Sequence, residues 1–112
     1  MNEFKIINNY FKSLTKKNPS AKKLNDDVFF DKKKGVVISL DTYNSGTHFL
    51  GFKYPYYIIK KIIRSSLSDL ICKGVKPKYY FLSGGGNKQT FTKKNLSLIS
   101  KSLKEEQKKY SI

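Results

Sequence analysis

Val36-Val37-Ile38-Ser39-Leu40-Asp41-Thr42 is the stretch on which the reading of the fold turns. It has the composition of a strand, and period-two alternation puts Val36, Ile38 and Leu40 on one side and Val37, Ser39 and Asp41 on the other. Upstream lie Val28-Phe29-Phe30 and then Lys32-Lys33-Lys34-Gly35. That order reads as a hairpin with a charged turn, the glycine supplying the unusual backbone angle. The mixed face of the second strand, with its hydroxyl and its acid, is where chemistry would sit.

Working outward, Phe4, Ile7, Phe11 and Leu14 recur at helical spacing, so residues 3–14 read as a short amphipathic helix. The polar residues 16–25 read as a flexible loop. Downstream, Pro55 suits a first helical turn, and Ile58, Ile59, Ile62, Ile63, Leu67, Leu70 and Ile71 keep a 3.6-residue period until Gly74 offers a cap. After Pro77, Tyr79-Tyr80-Phe81-Leu82 has strand composition and Gly84-Gly85-Gly86 breaks it. Leu96, Ile99 and Leu103 mark a closing helix from about Thr92 to Tyr110. Helix, strand, strand, helix, strand, helix in one chain of 112 residues predicts a single α+β or α/β domain.

Only eight acids stand against 23 basic residues, leaving a net charge of +15. Five of the eight are aspartates between positions 26 and 69, and Asp27, Asp41 and Asp69 abut strand or helix segments rather than charged turns. If hairpin and long helix pack together, these carboxylates converge, and convergence without a cation is repulsive. Magnesium fits such a set, since it takes oxygen ligands and is shared between a few carboxylates and substrate phosphates. The plainer alternative is that Asp26 and Asp27 cap a turn, Asp41 pairs with a lysine and Asp69 faces solvent.

The basic residues raise the prospect of an anionic partner. They are spread in pairs and one triplet, however, and only Arg64 is arginine, the residue preferred for bidentate contacts to bases and phosphates. This weighs against a dedicated nucleic-acid reader, although a small basic non-enzymatic module for nucleic acid or polyphosphate remains the alternative function. Cys72 is the lone cysteine, so no intramolecular disulfide can form, and its apolar neighbours suggest a buried residue. No apolar run approaches a membrane span and no signal peptide is evident, so a cytoplasmic chain is the simplest reading. His48, the sole histidine, and the Gly84-Gly85-Gly86-Asn87 run carry little by themselves: the latter lacks a Walker ending.

Taken together, Ile38-Ser39-Leu40-Asp41-Thr42, Gly46-Thr47-His48-Phe49-Leu50 and Leu67-Ser68-Asp69-Leu70 with Lys73-Gly74-Val75-Lys76-Pro77 resemble the amino-terminal domain of thiamine-monophosphate kinases. Asn25-Asp26-Asp27 resembles that family's Gly-Asp-Asp motif, and the opening helix also has a counterpart there. The resemblance implies the aminoimidazole ribonucleotide synthetase amino-terminal fold, with helices on one face of a small mixed or antiparallel sheet. It implies transfer of the γ-phosphoryl of ATP to thiamine monophosphate, giving thiamine diphosphate. It implies magnesium ligands at Asp27, Ser39, Asp41 and Asp69, His48 near the thiamine substrate, and a homodimer formed through this domain. Asn25 and Leu40 depart from the family's glycine and threonine. The chain also ends at Ser111-Ile112, before the family's next strand with its Gly-Gly-Asp-Thr motif. The expectation is therefore a truncated kinase domain over residues 1–112, inactive alone and lacking the carboxyl-terminal domain, which a separate chain could supply.

Overall fold

The computed structural model describes all 112 residues, which divide into two compact units, Met1–Leu40 and Asp41–Ile112. The class is α+β.

In the first unit the predicted opening helix forms, but its hydrogen bonding changes along its length. It starts as an α-helix, Glu3–Ile6 (α1), widens to a π-helix over Ile7–Phe11 and tightens to a 3₁₀ turn over Lys12–Thr15. Asn2 caps it, its side-chain oxygen accepting from the Lys5 amide at 2.9 Å. Phe4 and Leu14 are exposed, so its apolar stripe is not covered. The expected loop holds a further 3₁₀ segment, Pro19–Leu24, opened by Asn18 and broken where Lys22, Lys23 and Leu24 take positive φ. Such conformations strain L-residues by about 1–2 kcal/mol each.

The predicted hairpin is present. Phe29–Asp31 (β1) pairs antiparallel with Val36–Ile38 (β2) in the register Phe29↔Ile38, Phe30↔Val37, Asp31↔Val36. Asp31 accepts from the Lys34 amide at 3.1 Å across the turn, and Gly35 sits at φ +65°, where a side chain would be strained. The second strand is three residues rather than the seven expected. Beyond Ile38 no β1 residue remains opposite to hydrogen-bond, so Ser39 to Thr42 leave the sheet.

The second unit is built on two long helices, Pro55–Cys72 (α2) and Lys93–Tyr110 (α3). α2 ends in a Schellman motif: the Val75 amide bonds the Leu70 carbonyl at 3.0 Å, and the amide of Gly74, at φ +72°, bonds that of Ile71 at 2.9 Å. Thr92 caps α3 by accepting from the Asn95 amide at 3.1 Å. Ile59, Ile63 and Leu67 are buried, with Ile99, Leu103, Tyr110 and Ile112 packed against them. Each such burial is worth about 2 kcal/mol.

Two expectations are corrected here. Tyr79 to Leu82 form no strand: Tyr80 packs on the helix pair and accepts from the Gln107 side chain at 3.0 Å, while Tyr79 and Phe81 point into solvent. The alternation is that of a strand, but no neighbouring strand receives its backbone groups. Cys72 is exposed, not buried. At about 100° per residue it lies roughly 140° round the helix from Leu67, off the core face.

The polar groups between α2 and α3 complete the packing. Glu106 is 1% exposed, yet its carboxylate receives the Arg64 guanidinium in a two-pronged contact (2.9 and 3.0 Å) and Lys60 Nζ at 2.9 Å. Lys60 also reaches Glu105 at 3.0 Å, and the Tyr56 hydroxyl donates to Glu105. The fully buried Ser102 donates to the Tyr56 carbonyl at 2.8 Å. The Arg64 contact, chiefly, and then Lys60 overcome burial and hold the Glu106 carboxyl at about 2, against 4.5 ordinarily.

A folded-state pKa below the unfolded one stabilises the protein above the unfolded value and stops doing so as pH falls through the folded one. Helix-pair stability is therefore expected to drain between about pH 4.5 and 2. Glu106→Gln should flatten that acid limb and cost about 2 kcal/mol at neutral pH, read by urea unfolding across pH. Ile63→Ala should cost about 3 kcal/mol with the acid limb unchanged.

Candidate functional site

The segment after the hairpin has no regular structure, and a tight turn organises it. The Asn44 carbonyl accepts from the Thr47 and His48 amides at 3.2 and 2.9 Å, and the Gly46 amide donates to Phe49 at 2.6 Å. Gly46, at φ +85°, takes the angle that the turn demands and that other residues resist. Within the turn the Asn44 amide donates to His48 Nδ1 at 2.7 Å. A ring nitrogen that accepts carries no proton, so neutral His48 keeps its hydrogen on Nε2, available as a donor.

Tyr43 is the hub of this region. Its hydroxyl donates to the Asp41 carboxylate at 3.2 Å, and its ring meets that of His48 edge-on at 5.4 Å. Partial burial chiefly, then the charge and hydrogen bond of Asp41, raise the phenol above its ordinary pKa. The Ser65 side chain on α2 opposes that rise, and the charge of Asp69 adds to it. One phenol thus registers an acid from the loop and an acid from α2. Lys61, Ser65 and Asp69 stand four residues apart on one face of α2. Lys61 fixes the turn to that face by donating to the His48 carbonyl at 2.6 Å.

Of the five residues singled out from the sequence, Asp41 and His48 therefore meet at Tyr43, and Asp69 lies on the α2 face to which Lys61 ties the turn, all in the second unit. Asp27 and Ser39 belong to the first: Asp27 is exposed beside a turn in which Asp26 accepts from the Val28 amide at 3.3 Å, and Ser39 is half-buried just past β2. Neither unit by itself clusters three His, Cys, Asp or Glu side chains in a metal-holding group. Two carboxylates and neighbouring hydroxyls are nevertheless hard oxygen donors of the kind magnesium takes, since that ion keeps waters and substrate phosphates as its other ligands.

Tyr43 and Ser65 were not singled out from sequence. The four-residue step from Ser65 to Asp69 was a legible signal; nothing local marks Tyr43 among eight tyrosines. The glycine run is not an open cradle, because a side chain at Gly86 would meet Thr90 at 2.9 Å, and Asn87 turns inward to accept from the Gln89 and Thr90 amides.

Residues 25–112, spanning the hairpin, the Tyr43 turn and both long helices, match the family described as AIR synthase related protein, N-terminal domain. The chain belongs to that family. Within it, the chain is 39% identical over 85 residues to the thiamine-monophosphate kinase of Buchnera aphidicola subsp. Acyrthosiphon pisum, covering 72% of this chain and 26% of that protein. It is 37% identical over 86 residues to the thiamine-monophosphate kinase of Buchnera aphidicola subsp. Schizaphis graminum, covering 73% and 27%. It is 35% identical over 86 residues to that of Caulobacter vibrioides, covering 74% and 24%. The chain thus spans about a quarter of the length of these relatives. No solved structure matches it, and no helix is long and apolar enough to cross a membrane.

If the phenol reports both acids, Asp41→Asn should lower the Tyr43 pKa by more than Asp69→Asn does. Ultraviolet titration of tyrosinate, with Tyr43→Phe identifying the signal, measures this. An unchanged titration in both variants would remove the basis for joining the two acids in one site.

Proposed function

We propose that this chain is the amino-terminal domain of a thiamine-monophosphate kinase, which transfers the γ-phosphoryl of ATP to thiamine monophosphate to give thiamine diphosphate. The observation that carries the reading is the Asp41–Tyr43–His48 turn tied by Lys61 to the helix face that bears Asp69, in a chain whose family match runs unbroken from residue 25 to 112. That continuity supports the proposal that residues 25–112 belong to one domain. The relatives' names support the substrate pair.

In this reading Asp41 and Asp69 would hold magnesium, and Tyr43 orients the Asp41 carboxylate through its hydroxyl. His48 presents Nε2–H to the thiamine substrate. Magnesium neutralises phosphate charge, and phosphoryl transfer needs positioning and cations rather than a protein nucleophile. The partner is a second copy of the chain, paired through this domain, in the cytoplasm.

Magnesium–nucleotide binding tests the site. Titration calorimetry with a non-hydrolysable ATP analogue should show weak, magnesium-dependent binding that Asp41→Asn reduces at least tenfold. Tyr43→Phe should weaken it less, since the carboxylate remains. Unchanged binding in Asp41→Asn would end the assignment. Because the chain spans a quarter of its relatives' length, negligible thiamine diphosphate formation is expected from the 112 residues alone, and brisk turnover would contradict this.

A further inference from the structure

Where α2 begins it forms with α3 an open groove of about 630 Å³ that the kinase reading does not use. Lys53, Lys94 and Lys101 line it together with Tyr54, Tyr56 and Tyr57, and no acid is among the lining residues. Neighbouring Glu105 is already engaged by Tyr56 and Lys60. The rings differ in availability. Tyr56 has Lys60 and Lys101 over its ring, at 4.8 and 5.6 Å from the centroid, and meets Tyr57 edge-on. Tyr54 and Tyr57 are 59% and 67% exposed, Lys53 lying over one side of the Tyr54 ring at 5.5 Å from its centroid. Lys94 and Lys101 are two turns apart on α3, about 10 Å along the axis.

Cations spaced along a groove beside exposed aromatic faces are what a flexible polyanion with stackable bases requires. We infer that this groove binds single-stranded nucleic acid without sequence preference, the lysines contacting phosphates and Tyr54 and Tyr57 stacking on bases. The near absence of arginine fits this mode, because stacking and point-charge contacts do not need the guanidinium fork that reads base edges. An acidic peptide would use the lysines but gain nothing from the rings.

Fluorescence anisotropy with a labelled oligo-uridine tests this on the whole chain. Affinity should fall with salt at a slope of about −2 on logarithmic axes, as three phosphate contacts on a single strand imply. Tyr57→Ala should weaken binding about tenfold while Tyr57→Phe does not, as expected for one lost stacking partner. The triple variant Lys53→Gln, Lys94→Gln, Lys101→Gln should weaken it more than the charge-matched triple Lys12→Gln, Lys16→Gln, Lys23→Gln, whose lysines line a different groove in the first unit. Circular dichroism checks that each variant is folded. Equal losses in the two triples would mean bulk charge alone and overturn the proposal. So would undiminished binding in Tyr57→Ala, or equal affinity for polyglutamate.

Discussion

Glu106 carries a charge almost wholly removed from water, in a chain with 23 basic residues and seven other acids. A buried carboxylate costs several kcal/mol unless it is paired and hydrogen-bonded. Arg64 and Lys60 meet that condition together, and they do so only if α2 and α3 hold one rotation and one axial register. The buried aliphatic residues Ile59, Ile63 and Leu67 would tolerate some sliding of one helix on the other; the two-pronged Arg64 contact does not. The site depends on the same constraint, because α2 carries three distinct faces. One buries Ile59, Ile63 and Leu67 in the core, a second beside it carries Lys60 and Arg64 to Glu106 on α3, and the third offers Lys61, Ser65 and Asp69 to the Tyr43 turn. Fixing the first two aims the third.

The turn is held by backbone bonds and by Lys61, with few buried contacts of its own. That construction suits a binding loop, since segments that must admit a ligand belong to the less stable part of a fold. Tyr43 lies where loop and helix meet, and its raised pKa keeps it a hydrogen-bond donor at any ordinary pH.

Periodicity made both long helices legible nearly to the residue: Pro55 and Gly74 bracket α2, and α3 runs from just past Thr92 to Tyr110 as the apolar spacing indicated. The hairpin was legible from Lys32 to Gly35 because turn chemistry is local. Strand length and strand status were not. Val36 to Thr42 and Tyr79 to Leu82 have strand composition, but a strand exists only where a partner supplies hydrogen bonds, and composition says nothing of partners. Cys72 shows the same limit within a helix, since apolar neighbours in sequence are spread round the cylinder.

The candidate site divides along the same line. Sequence alone determined that the aspartates and His48 form an ordered series of motifs, because short motifs encode turns and caps, and these are local. It also determined the length and core face of α2. Only the tertiary structure decided that the turn carrying Asp41 and His48 is tied to the α2 face bearing Asp69, and that Glu106 is a buried structural acid rather than one of several on a solvated helix. Both depend on how distant segments are rotated against each other. Buried charges and packed side chains set that rotation, and no window of neighbouring residues contains it.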